Sequence, residues 1–395
     1  MIRILFVDDE ANVLNAMRRT LHHMRSEWQM SFADSGKAAL EEMAREPTDV
    51  LITDMRMPGM DGWQLLREVK QRHPQTVRLI LSGHSDARSI MRTVGTAHQY
   101  LAKPCDSVSL KAAISAAYQL RQLLNSERLA HLVGRVGMLP SAPKAFQEIL
   151  ACLQDPAASI ADASKIIGGD VSMTANVLKL VNSAFFGARQ TVTTAERAVA
   201  YLGLDTLGAV VLAHSTFKGS LVSVIPGFSL DALWQHSLEV ATTARTLALF
   251  EKLPQSRADE AFLSGMLHDV GKVVFATRAV PMPDGSPASD EQALAQMDVH
   301  HAQVGAYLLG LWGFPNPIIE AVAFHHAPSQ AGGDGLTLAR LIHIADRLVH
   351  QRRADHPQAP DWGLEPALLE KLGMETRWAD WSAKLDLLDV QESAA

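Results

Sequence analysis

Five times within residues 1–125 the chain repeats one pair of patterns, a short β-branched run followed by an amphipathic stretch of helical spacing. The runs lie at 2–7, 29–33, 50–53, 77–82 and 99–102, and the helical stretches near 10–25, 35–45, 62–72, 85–95 and 106–125. Strands that alternate with helices pair in parallel, because each helix carries the chain back across one face of the sheet. The expectation is a doubly wound, five-stranded parallel sheet, with any site at the carboxyl ends of its strands. From about residue 130 the β signal disappears and only helical periodicity follows. Turn signals punctuate it at Leu139-Pro140, Asp155-Pro156 and Gly168-Gly169, with a loop over 281–287 and a looser stretch over 327–335. A chain of 395 residues exceeds one ordinary core. Four segments are expected: an α/β module over 1–122, a helical linker over 123–138, an all-α module over 139–350 and a helical extension over 351–395. A patch near 364–388 in that extension carries Trp378 and Trp381 and is expected to pack on the all-α module.

A net charge of -7 gives no general attraction to nucleic acid or to anionic membrane, and no basic recognition helix is visible, so DNA is not an expected partner. No apolar run approaches the roughly 18 residues a membrane helix needs. The apolar start runs at once into Asp8, Asp9 and Glu10, unlike a signal peptide. Cys105 and Cys152 are the only cysteines, too few for a disulfide framework. A cytoplasmic setting is expected.

On the expected sheet, Asp8 and Asp9 end the first strand, Asp54 the third and Ser82 the fourth, while Lys103 follows the fifth, directly before Pro104. Carboxylates at one edge repel unless a cation sits among them, and an all-oxygen set suits magnesium. The same cation would neutralise a phosphoryl group approaching Asp54, with Lys103 placed to pair with its oxygens and Ser82 to hydrogen-bond them. Over about 120 residues this module resembles the receiver domains of two-component response regulators. The likeness rests on the Asp pair, on Asp54 within Thr-Asp-Met-Arg-Met-Pro-Gly-Met-Asp-Gly, on Ser82-Gly83 and on Lys103-Pro104. It implies that Asp54 is phosphorylated by a sensor histidine kinase. It further implies that Asp8, Asp9, Asp54 and the Arg56 backbone carbonyl hold magnesium. Ser82 and Tyr100, with Lys103, would then switch the face made by the fourth helix, fifth strand and fifth helix of the module. That fifth helix runs on through Leu120, Leu123, Leu124 and Leu129 towards Leu139-Pro140, so a nearly continuous helix is expected to carry the switch into the second module.

The all-α module concentrates metal-capable side chains: His236, the pair His268-Asp269, His301, the pair His325-His326, and Asp346. His236 shares a helical face with Val240. His268-Asp269 falls in an apolar helix over 261–276, His301 opens another, the histidine pair ends a helix over 317–326, and Asp346 shares a face with Ile342 and Val349. A carboxylate on an apolar face is costly unless paired or metal-bound. Imidazoles with carboxylates in this ratio suit iron, manganese or zinc, and two such ions would polarise a phosphodiester. Lys272, one turn after His268, could hold a phosphate oxygen. The plain alternative is a hydrogen-bonded core, in which His343 and Asp346 satisfy each other and His300, His350 and His356 are surface residues.

The ligand pattern is similar to that of the HD superfamily of metal-dependent phosphohydrolases. The segments Met138-Leu139-Pro140-Ser141-Ala142-Pro143, Ile166-Ile167 with Asp170, Leu180-Val181-Asn182-Ser183-Ala184-Phe185-Phe186-Gly187 and Ala198-Val199-Ala200-Tyr201-Leu202-Gly203-Leu204 resemble the HDOD output domain. That resemblance implies an all-helical relative of the HD hydrolases acting through protein contacts on a downstream partner. The chain departs from the metal-rich relatives in two places: Ala232 stands where some have a glutamate, and Ala-Pro-Ser-Gln-Ala-Gly-Gly follows His326 instead of a Gly-Tyr-Pro loop. Three functions stay open: a regulator with a docking output that binds metal, a phosphorylation-gated phosphodiesterase with a nucleotide ligand, and, against the acidic charge and the lack of a basic recognition helix, a transcription factor. Each is compatible with a homodimer.

Overall fold

The computed structural model describes residues 1–82, 96–103, scattered positions from 105 to 139, 143–182 apart from 156, 191–215, 228–277, 290–352 apart from 334, and five positions from 377 to 384. The expected helix near 85–95, the bridging helix beyond 115, Pro104, Trp378 and the 281–287 loop lie outside these residues.

Five strands, β1 (Ile2–Val7), β2 (Trp28–Ala33), β3 (Val50–Asp54), β4 (Val77–Ser82) and β5 (Gln99–Ala102), form one sheet in the order β2-β1-β3-β4-β5. Every pairing is parallel. The inner strands read as unbroken apolar runs because both faces are covered, and Ile4 to Val7 and Val50 to Ile52 are buried. The helices α1 (Ala11–Thr20), α2 (Gly36–Arg45) and α3 (Gly62–Arg72) return the chain between strands. Asp61 starts α3 with a capping box, accepting from the Gln64 backbone while the Gln64 side chain accepts from the Asp61 backbone.

The second half is helical: α4 (Pro143–Gln154), α5 (Ile160–Gly168), α6 (Val171–Val181), α7 (Ala195–Ser215), α8 (Leu230–Phe250), α9 (Gln255–Leu267), α10 (Val270–Thr277), α11 (Asp290–Leu311), α12 (Asn316–Phe324) and α13 (Leu338–Arg352). Ser159 and Asp170 cap α5 and α6 through their side chains. Gly203 bends α7, holding φ at +73°, a conformation open to glycine at little cost. Around α8, α9 and α13 lies a core of Val240, Ala244, Leu247, Ala261, Ile342 and Ala345 that also takes in Trp381. The Trp381 indole donates to Glu251 Oε1 at 3.0 Å, so at this position the C-terminal patch packs on the domain as expected.

The two halves share a hydrophobic core, which runs from Val77 and Leu79 of β4 through Val133 and Leu139 to Tyr307 of α11 and Trp312 just after it. Arg78 sits fully buried at this junction. Its guanidinium donates to the carbonyls of Thr96 (2.7 Å), Pro74 (3.1 Å), Thr76 (3.0 Å) and Gly134 (2.6 Å). Burial pulls its pKa down to about 9. Lys179 of α6 reaches the Ala97 carbonyl at 3.2 Å while lying 4.5 Å from the centre of the Trp312 ring. Gln99 of β5 donates to the Gly310 carbonyl of α11 at 3.2 Å. Among the described residues, then, the modules meet beneath the amino ends of β4 and β5, a contact that the sequence did not announce.

Candidate metal centre and receiver site

The strand order sets β1 beside β3, which brings two of the predicted carboxylates together. Asp8 is buried just past β1, and its Oδ1 accepts from the Glu10 amide at 3.0 Å. Asp54 Oδ2 accepts from the Arg56 amide at 2.7 Å. Lys103 reaches across from β5, 2.7 Å from Asp8 Oδ2 and in closer ion pair with Asp54 Oδ1. Burial lowers the Lys103 pKa, but hydrogen bonds to Asp54 and Asp8 outweigh it and leave the ammonium raised. Asp9 is exposed at the same strand end, completing an all-oxygen donor set that fits a hard divalent cation. Tyr100 is buried within β5, opposite Ile80, and Ser82 pairs with Ala102.

In the helical domain, all seven predicted ligands converge, although from different local settings than expected. His236 projects from α8 and Asp346 from α13. His268 and Asp269 do not lie within one helix: they form the break between α9 and α10. A turn there lets both side chains face one point, which neighbours on a regular helix, about 100° apart, do less well. His301 lies well inside α11, which begins at Asp290, and His325-His326 follow α12 after Phe324. Gly271 makes the assembly close: a Cβ there would collide with the His301 backbone carbonyl, so α10 and α11 meet backbone to backbone.

His301 Nε2 is 3.1 Å from Asp269 Oδ1, and His236 Nε2 is 3.1 Å from Asp346 Oδ1. His326 Nε2 is 2.9 Å and His325 Nε2 3.4 Å from His301 Nε2. His268 Nδ1 donates to the Gly265 carbonyl and His325 Nδ1 to the Val322 carbonyl, each at 2.7 Å. A carbonyl can only accept, so each proton is on Nδ1 and each lone pair is on the Nε2 that faces the centre. Asp269 Oδ1 and Asp346 Oδ1 are buried and accept no hydrogen bond despite these close nitrogens. Orphaned carboxylate oxygens among inward-facing imidazole lone pairs are what a cation needs, so the donor set fits the expected metal.

The electrostatics agree. Burial and the neighbouring imidazoles hold His325 well below its ordinary pKa, and burial with His301 pushes His326 down to about 3. Burial likewise lowers His236. These rings are neutral at neutral pH, the form that binds metal. Against the cost of burial, His268, Lys272 and His301 hold Asp269 well below the usual carboxylate range. The close imidazoles of His236 and His350 do the same for Asp346. Lys272 spends its ammonium on Asp269 Oδ2, at 2.7 Å, rather than standing ready for a phosphate alone.

Two further histidines border the set. His343 Nδ1 donates to the His325 carbonyl at 2.7 Å and steadies the double-histidine turn. His350 is exposed, as expected, and also borders the site: its Nδ1 lies 3.0 Å from Asp346 Oδ1 and its ring centre 4.9 Å from that of His236. The signal for it was present as an Asp346/His350 pair one helical turn apart. His300 and His356 have side chains outside the described residues.

Comparison with known proteins agrees with this architecture. The response regulator receiver domain model matches residues 4–115 and the HDOD domain model residues 139–328. An uncharacterized protein of Treponema pallidum (strain Nichols) is 28% identical over 237 residues, 58% of this chain and 45% of its own length. The MmoQ response regulator of Methylococcus capsulatus str. Bath is 23% identical, over 62% of this chain and 98% of that one, with a TM-score of 0.46. The signal receiver domain of an HD domain-containing protein from Pseudomonas fluorescens Pf-5 is 28% identical, over 31% of this chain and 97% of that one, with a TM-score of 0.29. The chain spans less than half the length of the curated relatives it matches. It belongs to the response regulators, with an amino-terminal receiver domain and a carboxyl-terminal HDOD domain. A receiver domain implies a histidine kinase as partner. No described helix is long and apolar enough to cross a membrane.

Proposed function

We propose that this chain receives a phosphoryl group on Asp54 and relays that event to an HDOD domain that holds two metal ions and acts on a downstream protein partner. Residues 1–122 form the receiver, 123–138 the linker, 139–350 the HDOD unit and 351–395 an extension of it. At the receiver, Asp8, Asp9, Asp54 and the Arg56 carbonyl hold magnesium, which supplies charge neutralisation for phosphoryl transfer. Lys103 already bridges Asp8 and Asp54 and is placed to follow a phosphoryl oxygen, while Ser82 and Tyr100 respond to its new position. In the HDOD unit the ligands are His236, His268, Asp269, His301, His325, His326 and Asp346, and the ions are iron, manganese or zinc. The single observation behind this is the pair of buried carboxylate oxygens left without hydrogen bonds in a nest of imidazole nitrogens.

A second reading is a phosphorylation-gated phosphodiesterase acting on a nucleotide. It is favoured by Lys272, which is partly exposed beside the ligand set and could share its ammonium between Asp269 and a phosphate oxygen. Incubation with acyl phosphate and magnesium, read on a phosphate-chelating gel, should shift the wild type and leave Asp54→Asn unshifted. An unshifted wild type contradicts the receiver assignment. Hydrolysis of bis-p-nitrophenyl phosphate with manganese or iron, abolished by His268→Ala, would favour the enzyme reading. Metal without turnover leaves the docking output standing.

A further inference from the structure

We infer that His350 is a ligand of the metal centre and completes a three-residue subsite with His236 and Asp346. The inference rests on the proposal that the HDOD unit binds metal, and adds an eighth residue and a solvent-facing position to it.

Asp346 and His350 lie one turn apart on α13, so they share a face, and α8 supplies His236 opposite them. One ligand atom from each of the three falls within 4.8 Å of the others. The His236 and His350 rings meet edge to face at 71°. Asp346 Oδ1 lies 3.1 Å from His236 Nε2 and 3.0 Å from His350 Nδ1, yet accepts a hydrogen bond from neither. Three ligand-capable side chains this close, one of them a buried carboxylate, have the geometry of ligands arranged about a common point.

The His350 ring is also prepared as ligating histidines are. Its Nδ1 lies 2.9 Å from the Asp346 backbone carbonyl, as His268 and His325 lie against the carbonyls of Gly265 and Val322 in the preceding helical turn. The carbonyl keeps the proton on Nδ1 and the lone pair on Nε2. Two imidazoles and one carboxylate suit a divalent first-row cation such as Mn2+, Fe2+ or Zn2+. The His350 side chain is 38% exposed, whereas those of His301 and His325 are fully buried. This subsite therefore faces solvent, and an ion in it keeps coordination positions for water or an incoming anion.

The test is titration of the full chain, stripped with chelator, with Mn2+ alone, free Mn2+ being read by electron paramagnetic resonance. The wild type is expected to take up two ions. In His350→Ala one of them should weaken by more than the roughly 10–100-fold that loss of a mere supporting partner costs. The other should bind unchanged, and His325→Ala should show the reverse pattern. Loading with Co2+ gives a second readout: the wild type should show one more strongly shifted imidazole N–H proton resonance than His350→Ala. Two ions bound by His350→Ala with wild-type affinity would overturn the inference and leave the metal centre standing. A weakened ion with no lost resonance would also overturn it, making His350 a positioning residue for Asp346. A wild type that binds no Mn2+ and no Co2+ removes the metal-centre proposal itself.

Discussion

Arg78→Met should cost this protein a large part of its stability. The guanidinium is fully buried and holds four backbone carbonyls, those of Pro74, Thr76, Thr96 and Gly134, at 2.6 to 3.1 Å. Methionine fills similar volume but donates nothing, so these buried acceptors lose their partner at about 1–3 kcal/mol each. Simple addition overshoots, because the variant no longer buries a charge and the carbonyls share one donor group. The expected loss is therefore about 3–5 kcal/mol, near the lower end of the sum over the four carbonyls. At roughly 2–4 °C per kcal/mol for a unit of this size, the melting midpoint should fall by about 6–20 °C. Because Gly134 lies beyond the receiver sheet, the two halves should also lose their common transition. Differential scanning calorimetry reads both effects, with Arg78→Lys, which keeps the charge but fewer donors, falling between the two. A midpoint within about 2 °C of wild type, with a single transition, would refute the view that Arg78 clasps the modules together.

Three further outcomes follow from the geometry. Acyl phosphate should change the small-angle scattering of the wild type through module packing or dimer state, and leave Asp54→Asn unchanged; identical curves for both contradict a phosphorylation switch. Gly271→Ala drives a Cβ into the His301 carbonyl, so it should destabilise by about 1–3 kcal/mol in thermal melts and weaken metal uptake, and wild-type uptake would contradict the close α10–α11 approach. Metal-free protein should lose stability as pH falls below 6.5 towards 3: His325 and His326 titrate below the ordinary 6.5 when folded, so the unfolded chain takes up protons first. His268 and His350 are raised and act oppositely, but His236, Asp269 and Asp346 are lowered and add to the acid loss. Midpoints that rise on acidification across that window would contradict the buried neutral cluster.

The parallel sheet was legible because its strands are buried on both faces, so β-branched runs mark them almost to the residue, as at Ile2–Val7 and Val77–Ser82. The convergence of the histidines and aspartates was legible too, since such side chains on apolar faces are costly unless they meet partners. Local setting was harder. The stretch from Ala261 to Ala276 keeps an apolar helical pattern through His268-Asp269, yet the helix breaks there, and no local signal marks the break. The junction was illegible for a different reason. Arg78 lies in a strand run, Lys179 in an apolar helix and Gln99 at a strand start, and each reads locally as a solvated polar residue. What buries them is the other module, which no single segment encodes. His350, one residue on a helix end, carries little signal in the sequence until His236 is seen across from it.

Metal content per chain decides the matter at the output domain. Protein purified without chelator, washed free of loose ions and measured by inductively coupled plasma mass spectrometry should carry close to two ions of iron, manganese or zinc. His268→Ala should carry about one or none, and Asp54→Asn should match the wild type. Wild-type protein with no bound transition metal, and none regained when Mn2+, Fe2+ or Zn2+ is supplied, would make the cluster of His236, His268, Asp269, His301, His325, His326 and Asp346 a hydrogen-bonded core and contradict the metal centre.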